Sequence, residues 1–192
     1  LASHVLIIGA GGLGSATSIY LASSGIGKLT ICDFDKVELS NLQRQILHND
    51  EVIGMNKAKS AKQFLEKLNP NISVEAIEEK LDFDSMKKIA RDVNVIVDCS
   101  DNFYTRYALN QIAYDLKKPL VSGAAIKFEG QLSVFDLTSE VSPCYECLFP
   151  DAKEEQELRC ADHGVFSPLV GMIGTAQAAE TIKILLSIGS PL

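Results

Sequence analysis

The chain has 192 residues, with 18 Lys and Arg against 25 Asp and Glu for a formal charge of −7, and 46% of its residues are hydrophobic. That apolar content rules out intrinsic disorder and suits one domain with a sizeable core. The acidic balance argues against nucleic-acid binding through an overall field. The longest apolar runs, 5–8 and 93–97, fall far short of the roughly 20 residues of a membrane span, so none is expected.

Short β-branched runs alternate with longer helical patterns, which predicts a doubly wound, Rossmann-like α/β fold: a mostly parallel sheet with helices on both faces. His4–Ile8 reads as a buried strand, followed by a glycine-rich turn and a helix over 13–23. Lys28–Cys32 is the second strand, and 56–68 a helix with Ala58, Ala61, Phe64, Leu65 and Leu68 at helical spacing, stopped by Pro70. A strand over 72–77, a short helix over 84–91 and a buried strand over 94–98 follow. Then come a helix over 102–116, a short strand over 119–122 and an antiparallel strand over 130–136. Residues 137–163 read as polar loop carrying the acidic run 151–157, and 168–188 as a long helix rich in small residues.

Five cysteines, Cys32, Cys99, Cys144, Cys147 and Cys160, are an odd count, and no secretory signal is read at the start. Together these favour a reducing cytoplasm over a disulfide framework. The start at Leu1 rather than Met, and the stop just after an apolar helix, give the expectation of part of a longer protein.

Gly9-Ala10-Gly11-Gly12-Leu13-Gly14 joins a strand to a helix and satisfies G-x-G-x-x-G, with Asp33 lying 19 residues beyond Gly14 at the second strand's end. Glycines let the backbone approach a phosphate, the helix N-terminus offers free N–H groups, and the carboxylate can accept ribose hydroxyls. The bland alternative is a turn that only permits close helix–strand packing. NAD would be the default ligand of such a motif. A polar stretch beyond Asp33, however, carries Asn41 and Arg44, and Lys57 opens the next helix. Strand ends line the ligand crevice, so these groups can converge on a triphosphate, which needs more positive charge than a pyrophosphate. Any one of them alone is as well read as a solvated surface residue. Asp101, at the end of the fourth strand, can hold Mg²⁺ on phosphates, or else Asp101 or Asn102 caps the following helix.

These motifs, with D-F-D, L-S-N-L-Q-R-Q, Lys57, D-C-S-D-N, V-S-G-A-A-I-K-F-E-G-Q and C-Y-E-C-L in order, closely resemble the ThiF/MoeB/HesA family of bacterial relatives of ubiquitin-activating enzymes. The resemblance implies ATP- and Mg²⁺-dependent adenylation of the C-terminal glycine of a ubiquitin-like sulfur-carrier protein ending in Gly-Gly. It implies a nucleotide loop at Gly9, Gly11, Gly12 and Gly14, ribose binding by Asp33, phosphate contacts from Asn41, Arg44 and Lys57, metal at Asp101 and support from Arg106. It also implies a homodimer, a cysteine-desulfurase sulfur donor, and a single adenylation domain over 1–192 lacking an N-terminal helix and a C-terminal segment. Thiamine- and molybdopterin-type carriers stay open, because C-Y-E-C-L-F-P looks closer to the first branch and V-S-G-A-A-I to the second. An NAD-dependent oxidoreductase is the alternative, supported only by the glycine motif and Asp33.

Cys144 and Cys147 form C-x-x-C, half of a tetrahedral zinc site; the resemblance implies a second pair beyond residue 192. A redox pair is the alternative, but that chemistry wants a helix N-terminus and Cys144 follows Ser142-Pro143 in predicted loop. Cys160, with Arg159 and His163 close in sequence, matches a family cysteine implicated in handling the activated carrier or sulfur.

Overall fold

The computed structural model describes residues 2–139, 141–150 and 164–192. In chain order the elements are β1 (His4–Ile8), α1 (Gly12–Ser23), β2 (Lys28–Cys32), α2 (Lys57–Leu68), β3 (Ser73–Ile77), α3 (Phe83–Ala90), β4 (Val95–Asp98), α4 (Phe103–Leu116), β5 (Pro119–Ile126), β6 (Glu129–Asp136), α5 (Tyr145–Leu148) and α6 (Ser167–Leu186). Short 3₁₀ turns at Leu39–Asn41 and Asp50–Val52 lie between β2 and α2.

The sheet runs β3-β2-β1-β4-β5-β6, parallel throughout except for the final antiparallel β5–β6 pair. Both faces are covered, which is why the inner strands read as continuous apolar runs. Along β1, Val5 and Ile7 point into the core shared with α1, α2 and α6, whereas Leu6 and Ile8 point into the core shared with α3, α4 and α5. β4 divides its side chains in the same way, Val95 and Val97 to one side and Ile96 to the other.

Because the chain crosses from β3 at one edge to β4 beside β1, the strand order reverses between β1 and β4. A ligand crevice in an open α/β sheet forms at such a point, outside the carboxyl ends of the strands. The turns after β1 and β4 meet there: a Cβ at Gly9 would stand 2.6 Å from the Cys99 carbonyl oxygen.

Three elements depart from the sequence expectations. β5 runs four residues further than the predicted 119–122. Of these, Gly123-Ala124-Ala125 have weak strand propensity but, with Ile126, pair in register with β6, and Gly123 leaves room for Gln177, whose side chain a Cβ there would meet at 2.5 Å. Within the predicted polar loop, Tyr145–Leu148 forms α5, fixed by the buried Tyr145 ring packing edge-on against Tyr107 and Phe135. Thirdly, α6 is long and apolar enough to cross a membrane by length and composition, which the apolar-run argument overlooked. Here it packs against α1, β5 and β6, and turns Gln177, Glu180 and Thr181 inward. The acidic run 151–157 and Cys160 lie outside the described residues.

Candidate functional site

The four glycines of the turn differ in what holds them. Gly9 adopts φ +100°, and its N–H donates to Cys32 O at 2.9 Å, anchoring the turn to β2. A Cβ at Gly14 would come within 2.0 Å of Gly9 O, and one at Gly12 within 2.4 Å of Val170 Cγ1 on α6. These three are demanded by the protein's own packing. Gly11 is not: its φ of −77° lies outside the left-handed region, and a Cβ would meet only Gln45 Nε2, at 3.6 Å. Open space at the N-terminus of α1, with no side chain capping it, is what an approaching phosphate needs.

Asp33 stands at the end of β2 and binds the turn directly. Its Oδ2 accepts from Ala10 N–H at 2.7 Å and its Oδ1 from Asp35 N–H at 2.9 Å. Each oxygen keeps a further lone pair for a ribose hydroxyl. Burial pushes the Asp33 carboxyl above the usual carboxylate range, against the pull of Lys57 and of the two N–H groups.

Lys57 opens α2 with its side chain only 9% exposed, and its Nζ donates to Asp35 Oδ2 at 3.0 Å. Asn56 sets that position. Its Oδ1 caps α2 by accepting from Lys59 N–H at 3.1 Å, while its Nδ2 donates to Asp33 O at 2.8 Å. The capping amide therefore ties the lysine's helix to the backbone of Asp33 at the end of β2. Asn41 and Arg44 lie on the turn at Leu39–Asn41 and just beyond it, where Arg44 Nη1 donates to Ser40 O at 3.2 Å. Gly12, Gln43, Arg44, Ser167 and Pro168 line an open cleft of about 200 Å³. The cleft lies between the N-termini of α1 and α6, neither of them capped by a side chain. A space of that size takes part of a nucleotide rather than all of it.

Asp101 is exposed at the turn after β4, and the helix cap falls to its neighbour: Asn102 Oδ1 accepts from Thr105 N–H at 2.9 Å. Arg106 is buried beneath this turn. Its Nη2 donates to Ser100 O at 2.7 Å, and its Nη1 reaches Asp98 Oδ2 at 3.5 Å and Ser122 Oγ at 3.4 Å. Asp98, 1% exposed, also accepts from the Ser100 hydroxyl at 2.6 Å and the Ser122 hydroxyl at 2.9 Å. Arg106 thus shapes the backbone leading to Asp101 from below. Gln177 completes the support from α6, donating from Nε2 to Asp98 O at 2.8 Å.

The cysteines sort by environment. Burial pushes the Cys32 and Cys99 thiols up to about 12, so both are inert. Cys144 and Cys147 lie beside α4 with their sulfurs 3.4 Å apart. Burial acts to raise Cys144, but the Cys147 amide and thiol and the Asn110 amide outweigh it and hold the thiol below its ordinary value. Contrary to the loop expectation, Cys144 is the N-cap of a helix, though one of only four residues. Two sulfurs this close fit one ion at the usual Zn–S length of about 2.3 Å. Among the described residues no group of three or more His, Cys, Asp or Glu completes a metal site.

Sequence reasoning missed Gln45, Asn56, His48, Asp98 and Gln177. His48 is buried, with Nε2 3.0 Å from Ala10 O and Nδ1 2.8 Å from Ser60 Oγ, so it links the glycine turn to α2. Nothing in its own neighbourhood signals a partner 38 residues away. Gln177 did leave a signal, a polar amide among the small and apolar residues in the middle of the helix.

An open sheet with a glycine turn at its switch point and a carboxylate at the end of the neighbouring strand defines a nucleotide-binding α/β protein. A ThiF family model matches residues 1–192, and the chain belongs to the ThiF family. It is 45% identical over 189 residues to the molybdopterin-synthase adenylyltransferase of Salmonella typhimurium strain LT2, covering 98% of this chain and 75% of that protein. It is 46% identical over 193 residues to the SAMP-activating enzyme E1 of Haloferax volcanii, covering 100% and 70%. The adenylyltransferase and sulfurtransferase MOCS3 of Culex quinquefasciatus is 46% identical over 185 residues, covering 96% of this chain but 42% of that protein. Among solved structures, E. coli MccB with AMPCPP and MccA superposes with a TM-score of 0.85 at 26% identity, covering 99% of this chain and 57% of that one. These similarities do not favour the oxidoreductase alternative.

Proposed function

We propose that this chain is an adenylylating core that uses ATP to activate the C-terminal carboxylate of a ubiquitin-like sulfur carrier. The observation that carries this reading is the glycine turn, open only at Gly11 and hydrogen-bonded to Asp33, with Arg44 and Lys57 beside it. The relatives' names support adenylyl transfer, and those naming molybdopterin synthase support a carrier of that type.

A carboxylate is a poor electrophile, and attack of its oxygen on the α-phosphorus of ATP gives an acyl-adenylate while pyrophosphate leaves. The attacking carboxylate is already ionised near neutral pH, so no general base is needed. Positioning and charge neutralisation carry the catalysis. In this reading Asp33 receives the ribose and the N-terminus of α1 receives phosphate over Gly11. Arg44 and Asn41 contact phosphoryl oxygens, and Lys57 exchanges Asp35 for one. Asp101, exposed while Asn102 takes the helix cap, is the residue that would hold Mg²⁺, which would supply further neutralisation of the leaving pyrophosphate. Cys144 and Cys147 supply half of a structural zinc site, and Cys160 is assigned to chemistry after adenylation. A homodimer, a cysteine-desulfurase donor and a cytoplasmic setting belong to the same proposal.

ATP–pyrophosphate exchange tests it. Arg44→Ala and Lys57→Ala should each lower exchange by orders of magnitude while thermal unfolding stays near that of the parent. Near-parental exchange in both variants refutes the assignment.

A further inference from the structure

Three stretches far apart in sequence carry the proposed nucleotide contacts: the glycine turn with Asp33 beside it, the segment 39–48 with Asn41 and Arg44, and α2 with Lys57. They meet at one imidazole. His48, 7% exposed, is fixed in the second stretch by its own N–H, which donates to Gln45 O at 3.0 Å. Its Nε2 lies 3.0 Å from Ala10 O in the glycine turn, and its Nδ1 lies 2.8 Å from Ser60 Oγ, one turn along α2 from Lys57. The partners decide the tautomer. A carbonyl oxygen only accepts, so Nε2 carries the proton and donates to Ala10 O, while Nδ1 accepts from the Ser60 hydroxyl. Desolvation, joined by Lys57 and outweighing the Ala10 bond, holds the ring below its ordinary 6.5 and so neutral near pH 7.

Ala10 is thereby held on both sides. Its N–H donates to Asp33 Oδ2 at 2.7 Å, and its carbonyl accepts from the imidazole. A trans peptide is planar, with C=O and N–H pointing opposite ways, so the grip on Ala10 O turns the Gly11 N–H away from the buried ring. Glycines on either side of Ala10 offer little resistance of their own to rotation of these peptides. We infer that His48 is a positioning residue for nucleotide binding: its neutral imidazole holds the Ala10 carbonyl and so sets the direction of the Gly11 N–H and the seat of Asp33. It acts through Ala10 and not by touching the ligand, so its loss should weaken binding without slowing a bound complex. The inference rests on the proposed function for ATP as the ligand.

Two substitutions divide the imidazole between its partners. His48→Gln reaches Ala10 O with an amide donor and gives up Ser60, whereas His48→Asn keeps an acceptor for Ser60 and gives up Ala10. Each loses one buried hydrogen bond, so both should melt about 2–4 °C below the parent. Calorimetric titration of the full-length protein with ATP–Mg²⁺ should tell them apart: His48→Gln binds within about threefold of the parent, and His48→Asn about tenfold more weakly. In ATP–pyrophosphate exchange, KM for ATP should rise by the same factor in His48→Asn, with kcat within about threefold of the parent. Equal ATP affinities in the two variants would mean that the histidine serves folding alone and overturn the inference, as would a fall in kcat with KM unchanged. A parent that binds ATP without exchange overturns the adenylation reading and leaves His48 to be judged by the affinities; a parent that does not bind ATP overturns both.

Discussion

Alanine substitutions at Gly11 and Gly14 should separate folding from nucleotide binding within a single turn. At Gly14 the new methyl would lie 2.0 Å from the carbonyl oxygen of Gly9 and 2.9 Å from its carbon, both backbone atoms. Gly9 cannot retreat, being bonded to Cys32 O at 2.9 Å and closed off by the Cys99 carbonyl. Relief therefore requires moving α1 against the sheet, at a cost at or above the upper end of ordinary overpacking, about 3 kcal/mol. For a domain of this size each kcal/mol moves Tm by about 2–4 °C, so Gly14→Ala should melt roughly 6–12 °C lower. Gly12→Ala is intermediate, since the Val170 side chain 2.4 Å away can shift in part. Gly11→Ala meets only an ordinary contact at 3.6 Å. Its small capping penalty is offset by a stiffer unfolded chain, leaving stability within about 0.5 kcal/mol of the parent. The methyl nevertheless fills the space over the N-terminus of α1, and ATP affinity should fall at least about tenfold, or about 1.4 kcal/mol. Differential scanning calorimetry with and without ATP–Mg²⁺ reads both quantities. A Gly11→Ala protein that binds ATP like the parent, or melts as low as Gly14→Ala, would refute the division of labour in this turn.

Two further outcomes follow from the buried polar groups. Arg106→Ala strips Asp98, 1% exposed, of its charged partner while leaving its hydroxyl donors, and should cost about 3 kcal/mol or more, read from the midpoint of urea unfolding; an unchanged midpoint would show that the pair carries no net weight. Desolvation holds the His48 imidazole below its ordinary 6.5, so on acidification the unfolded chain takes up a proton before the native one does. Stability present above 6.5 should therefore be lost as pH falls through 6.5 towards the lowered folded value. His48→Gln should flatten that slope, leaving the part due to His4, also lowered chiefly by burial; an equally steep slope would rule His48 out as its source.

The order of strands and helices was legible in the sequence because each has its own period and punctuation. Alternating apolar runs, Pro70 after α2 and the glycine turn after β1 are local signals, and so is the 19-residue step from Gly14 to Asp33. Arg44, Lys57 and Asp101 were picked out by their place after strands and by the family resemblance. What the sequence left open depended on who would be the neighbour. Asp101 and Asn102 were equal candidates for the cap until backbone geometry gave it to Asn102. Arg106 was assigned to support the nucleotide site, and only burial against Asp98 and Ser100 shows the means, a guanidinium that holds the turn from below. Glycines alike in the motif proved to be held by different atoms, three by their own protein and one by none. Gln45 and His48 gave no signal, because a buried side chain's role lies in contacts with residues such as Gly11 and Ala10, more than thirty positions away. Local chemistry set the class of this protein and the residue types of its candidate site; which glycines face open space and which buried groups pair with one another is decided only once the chain has closed around them.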